Sequence, residues 1–179
     1  MVVLVTGANG QLGQSIQYIA AKYLEIQFVF CTSTELDITN KFNCSEVFFK
    51  YKPAYCINAA AYTAVDKAES EIEKAHAVNV IGAKNLAEAC KENNAILLHV
   101  STDFVFDGSN TIPYTEDFVT NPIGVYGKTK LEGELAILKT IDQYYIVRTS
   151  WVYSQFASNF MKTPKPQNPK TPFEKQENY

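Results

Sequence analysis

Short apolar runs and amphipathic stretches alternate along the first 150 residues. Val2–Val5 is wholly apolar, β-branched and ended by a glycine turn, as expected for a strand buried on both faces. Gln11–Tyr23 carries Leu12, Ile16, Ile19, Ala20 and Tyr23 at helical spacing, and Ile26–Cys31 is again strand-like. The pattern then predicts a short helix over Cys44–Lys50, a strand over Tyr55–Asn58 and a long helix over Ile72–Asn93. That helix would bury Ala75, Val78, Leu86 and Ala89. Two more strands, Ala95–Ser101 and Tyr144–Thr149, flank a helix across Lys128–Lys139. Strand and helix in strict alternation predict an α/β fold, a parallel sheet with helices on both faces. The pattern stops near Thr163. Pro164, Pro166, Pro169 and Pro172 fall in residues 163–179, so this tail is expected to be extended or disordered, and the folded domain to span residues 1–162.

Composition adds mainly exclusions. The chain has 179 residues, 46% hydrophobic and 20% charged, enough for one domain with a core. Net charge is −3 and Arg148 is the sole arginine, which argues against a nucleic-acid groove. No apolar run reaches membrane-spanning length. The four cysteines form no Cys-x-x-Cys and only two histidines are present, so no metal site is expected and a reduced, cytoplasmic protein is the default.

Three places carry candidate chemistry. Thr6-Gly7-Ala8-Asn9-Gly10-Gln11-Leu12-Gly13 joins the first strand to the first helix. Glycines there let the backbone approach a pyrophosphate, whose charge meets the free N–H groups of the helix. A plain tight turn uses the same residues, but the strand–helix junction is the context a dinucleotide site requires. The second strand ends in Cys31-Thr32-Ser33-Thr34, with neither an acid for a ribose hydroxyl nor an arginine for a phosphate, so NADPH and NADH both remain open. Asp37 either faces the adenine side or caps a turn.

Tyr-x-x-x-Lys occurs twice. Tyr18/Lys22 sits in the first helix and reads as a chance match with its lysine reaching water. Tyr126/Lys130 opens a helix after the fourth strand, so one turn puts both side chains on one face. An ammonium beside a phenol favours phenolate, and moving a tyrosine from about 10 to near 7 takes roughly 4 kcal/mol. Ser101-Thr102-Asp103 ends the fourth strand at the carboxyl edge of the sheet, where a hydroxyl can bind the same carbonyl that the tyrosine protonates.

With these motifs the chain resembles the extended short-chain dehydrogenases/reductases, and among them the dTDP-4-dehydrorhamnose reductases. The stretches that carry the resemblance run from VTGANGQLG through ELDITN, INAAAYTAVDKAE, VNVIGAKNLA, STDFVFDG and NPIGVYGKTKLEGE to RTSWVYS. It implies a Rossmann-type doubly wound sheet and NADPH- or NADH-dependent reduction of the C4 keto group of a dTDP-sugar. Thr102, Tyr126 and Lys130 would be catalytic. Gly7, Gly10, Gln11, Leu12, Gly13, Asp37, Ile38, Ala61, Tyr62 and Thr63 would touch the cofactor, together with Tyr126 and Lys130. Asp103 and Trp151, with Thr102, would meet the sugar nucleotide, although Trp151 by itself reads as core. Asn58 and Asn79 are expected to hold strand and helix ends. A homodimer is compatible with this reading.

Three positions depart from the family pattern. Phe104 stands where members often have tyrosine, and Ser15 where some have a magnesium-binding glutamate. Beyond Thr163 the chain no longer follows the family, whose smaller C-terminal domain covers the sugar nucleotide. Most of that domain is expected to be missing and activity lost or feeble. The alternatives are a non-catalytic dinucleotide-binding regulator and another nucleotide-sugar epimerase or dehydratase.

Overall fold

The computed structural model describes residues 1–157 and Asn159. Five strands, β1 (Val2–Thr6), β2 (Gln27–Cys31), β3 (Tyr55–Asn58), β4 (Ile96–Thr102) and β5 (Tyr144–Thr149), form one all-parallel sheet in the order β2-β1-β3-β4-β5. The expected tail, residues 163–179, and the boundary at residue 162 lie outside the described residues.

The connection through α1 (Gln11–Ala20) runs one way along the sheet, and those through α2 (Lys41–Tyr51), the long helix and the last helix run the other. Right-handed crossovers therefore put α1 on one face and the rest on the opposite one. On that second face Leu4, Cys56 and Leu97 from the strands meet Phe48, Leu86 and Ile137 from the helices, all fully buried. The first face is covered less completely. Tyr145 and Val147, in register with Leu98 and Val100, stay 63% and 44% exposed.

Helix ends differ from the hydrophobic pattern where caps decide them. α2 begins three residues early because the Asn40 side chain accepts the Asn43 N–H, and its first turn includes an exposed Phe42. α1 stops at Ala20, leaving Tyr23 and Leu24 exposed. A four-residue helix, α3 (Val65–Ala68), has no period to reveal it. The long helix is real but not uniform: α4 (Ile72–His76) passes through a π turn at Ala77–Ile81 into α5 (Gly82–Glu92). The last helix, α6 (Val125–Thr140), starts at Val125, whose N–H is bound by the Glu69 carboxylate at 2.8 Å in place of a local cap.

Candidate active site

Strand order reverses between β1 and β3, so the loops after these strands diverge and open a crevice at the carboxyl edge of the sheet. A cleft of about 340 Å³ fills it, lined by Gly7, Gly10, Ser33, Asp37, Ile38 and Ala61 among others. A second cleft of about 480 Å³ shares Gly10, Ala59 and Ala61 with the first and continues over β4 to Thr102, Asp103, Tyr126, Lys130 and Trp151. The two form one trough.

Its first end is made mostly of backbone. Gly7 has φ +65°, and a Cβ there would lie 2.8 Å from the Ala59 carbonyl and the Ala60 nitrogen. A Cβ on Gly13 would overlap the Gly7 carbonyl oxygen, so that glycine packs the helix on the loop from beneath and does not line the trough. Gly10 is the N-cap of α1 and supplies no side chain, which leaves the first N–H groups of the helix to an external acceptor. A loop whose glycines bring backbone into the cleft, closed by an uncapped helix N-terminus, fits a diphosphate.

Asp37 lines this end, but its carboxylate is engaged by the Thr39 N–H and hydroxyl at 2.9 and 2.7 Å. Glu35 turns back on Thr32, bonding both its N–H and its hydroxyl at 2.8 Å. Ser15 bonds the Gln11 carbonyl within α1.

At the other end Gln11, Leu12, Thr63, Thr102, Asp103, Tyr126, Lys130 and Trp151 all come together. The Tyr62 side chain, expected at the cofactor, turns away from the trough: it is buried with Ala68 and Ala75 and its hydroxyl donates to Glu71, while Asn79 in the π turn grips the Tyr62 backbone through both N–H and C=O. Trp151 is 57% exposed rather than core and has φ +53°, a left-handed conformation unusual for an aromatic residue. Thr102 Oγ1 donates to Asp103 and accepts the Phe104 N–H. Phe104 lies edge-on to the Tyr126 ring at 5.6 Å. The Ser101 hydroxyl, buried in the same wall, has no protein partner and can serve a ligand.

Burial dominates the electrostatics here. It raises the Tyr126 pKa above its ordinary value, with Thr102 opposing and Asp103 adding to the rise. The lowering expected from Lys130 is outweighed by burial. Burial also pushes Lys130 down to about 8, with Glu134 acting the other way. The Glu134 carboxylate is held by Arg148 through both Nε and Nη2, tying α6 to β5.

Beneath Lys130 lies a layer that reading along the chain did not reveal: Thr6, Asn58 and His99, each about 1% exposed and hydrogen-bonded in series. The one sequence signal was a histidine inside the apolar run Ile96-Leu97-Leu98-His99-Val100. Glu69 was also missed as the group that fixes the turn carrying Tyr126.

A doubly wound parallel sheet, a glycine loop at its switch point and a Thr/Tyr/Lys cluster define a Rossmann-type fold of the short-chain dehydrogenase/reductase class. The model of the RmlD substrate binding domain matches residues 1–167, and the chain belongs to the RmlD family. It is 44% identical over 161 residues to the dTDP-4-dehydrorhamnose reductase of Aggregatibacter actinomycetemcomitans, covering 90% of this chain and 55% of that one. Two crystal structures of such reductases superpose with a TM-score of 0.87. One is from Clostridium acetobutylicum, at 45% identity, and one from Bacillus anthracis in complex with NADP, at 40%. Each match covers 90% of this chain and 57% of the other. The chain thus spans about half the length of the relatives it matches. Among the described residues no helix is long and apolar enough to cross a membrane.

Proposed function

We propose that this chain acts as a reductase of a dTDP-4-keto sugar, converting dTDP-4-dehydro-L-rhamnose to dTDP-L-rhamnose with NADPH or NADH. The observation that carries the reading is the meeting of Thr102, Tyr126 and Lys130 in one cleft continuous with the glycine loop. The nicotinamide supplies the hydride. Gly7, Gly10, Gln11 and Leu12 receive the diphosphate, with Gly13 supporting the loop from below. Asp37 and Ile38 lie at the adenine side, and Ala61 to Thr63 follow the trough toward the reacting end. Tyr126 donates a proton to the carbonyl oxygen, Thr102 orients that oxygen, and Lys130 in its charged form favours the departing phenolate. Asp103 and Trp151 hold the sugar nucleotide.

The NADP complex of the Bacillus anthracis relative supports NADPH, and the absence of an acid in Thr32-Ser33-Thr34 is consistent with it.

The test titrates NADPH and NADH, adds the dTDP-4-keto sugar and follows the reduced nicotinamide band. Tyr126→Phe should lower turnover by about 10²- to 10⁴-fold, whereas Tyr18→Phe leaves it unchanged. Equal losses in both remove the assignment. Cofactor binding with no turnover in the unmutated chain favours the non-catalytic dinucleotide-binding reading.

A further inference from the structure

The helical turn that carries Tyr126 is held from two sides. α6 closes its first internal bond only at Lys128, whose N–H donates to the Gly124 carbonyl at 3.0 Å. The N–H groups of Val125, Tyr126 and Gly127 therefore have no acceptor within the helix. Gly124, the N-cap, carries no side chain to supply one. For Val125 the acceptor comes from 56 residues away, Glu69 Oε1 at 2.8 Å. A carboxylate in that place also faces the positive end of the helix. Glu69 directly follows α3, after the stretch whose Ala61, Thr63 and Val65 line the trough. Ala68 beside it is packed with Tyr62 and Ala75 in the small cluster against which Val125 and Tyr126 rest. On the other side, Gly127 sits so close to the loop after β4 that a Cβ would overlap the Phe104 carbonyl oxygen. Tyr126 thus stands between a residue tied to Glu69 and a residue seated on Phe104, two positions after Thr102.

We propose that Glu69 is a positioning residue for Tyr126: by accepting the Val125 N–H it locks the first turn of α6 to the wall of the cofactor trough and sets where the phenol stands. This role rests on the reading of Tyr126 as the proton donor. It is a role in geometry, carried by the hydrogen bond and not by the charge. Lys130 has anchors of its own one turn further on. Its Nζ donates to the Val100 carbonyl at 2.8 Å, and its neighbour Thr129 accepts from the buried Asn79 amide at 3.1 Å. Loss of the Glu69 contact therefore loosens Tyr126 and leaves Lys130 in place. Glu69 is itself exposed, so replacing it leaves the core intact. Burial is what holds the Tyr126 pKa above its ordinary value, and a loosened turn gives the phenol back to water.

The test compares three replacements in the 179-residue chain. Glu69→Gln keeps an acceptor at the same reach and loses the charge. Glu69→Asp keeps the charge and falls one methylene short. Glu69→Ala loses both. NMR on the ¹⁵N,¹³C-labelled chain follows the Tyr126 Cζ resonance through a pH titration, the signal being identified by its absence in Tyr126→Phe. Glutamine should leave the Tyr126 midpoint in place, whereas aspartate and alanine should lower it toward the ordinary tyrosine value. Solvent exchange of the Val125 amide should quicken by about tenfold in the same two variants and not in glutamine. At saturating NADPH those two should also lose about ten- to a hundredfold in turnover, with NADPH affinity unchanged. A cap that serves stability alone would lower the urea midpoint without moving the Tyr126 titration, and that result overturns the proposal. So does aspartate behaving as the unmutated chain while glutamine behaves as alanine, since the charge and not the bond would then be responsible. If the alanine variant fails to fold, the glutamine and aspartate pair still decides. The NMR readouts need neither cofactor nor sugar, so failure of the proposed reaction in the nicotinamide assay is seen separately.

Discussion

The two ends of the trough are built from opposite materials. The end at β1 and β3 is shaped by what is missing. Gly7, Gly10 and Gly13 bring backbone against backbone, and the chemistry offered is a row of N–H groups. The end over β4 is shaped by side chains. Thr102, Tyr126 and Lys130 stand on a buried polar layer in which each hydrogen bond constrains the next. At the first end, adding an atom is the damaging change. At the second, removing one is.

Substitutions can break that contrast or sharpen it. Gly13→Val should have the largest effect, destabilising the fold by more than about 3 kcal/mol in urea titrations, since its Cβ alone would overlap the Gly7 carbonyl. Near-normal stability would mean that the loop can open without cost. Lys130→Met should change how stability depends on pH. Between about 8 and the ordinary lysine value the unfolded chain holds a proton that the folded chain lacks, so stability rises with pH across that window. The full penalty, on the order of 3 kcal/mol, applies below it. The methionine variant should lose this slope, and a slope that survives assigns it to another group. Gly10→Val has more room, its Cβ meeting only the Gly7 oxygen at 3.2 Å. It should fold within about 1 kcal/mol of the unmutated chain. Calorimetry should nevertheless show NADPH binding weakened about tenfold, or 1.4 kcal/mol. Tyr18→Phe, on a 63% exposed ring, should move stability by less than about 0.5 kcal/mol and leave cofactor affinity unchanged.

The same contrast explains what could be read along the chain. Apolar runs located the strands closely: Tyr55–Asn58 and Tyr144–Thr149 stand where the pattern put them. Glycine spacing marked the loop, because close approach is a local property of consecutive residues. Thr102, Tyr126 and Lys130 were legible since a strand end and one helical turn suffice to bring them together. The layer below was not. Thr6 and Asn58 are 52 residues apart, and Asn58 and His99 are 41 apart, so their bonds exist only through strand order and register. The direction of the Tyr62 side chain was not legible for a related reason: a loop has no period, and the residue that orients it lies in another element.

That residue, Asn79, sits in the π turn, and the turn works as a phase shifter. One extra residue in a helix rotates everything after it by about 100°. Here the added rotation lets α4 and α5 bury separate stripes while the Asn79 amide points between them at Tyr62 and at Thr129 of α6. A one-residue deletion within Ala77–Ile81 would spare the helix its irregularity and cost the molecule its alignment. Either Leu86 and Ala87 would swing off the core, or the Asn79 amide would leave the loop that runs from Asn58 to the trough. This stretch of helix is therefore one whose length, and not only its composition, is under constraint.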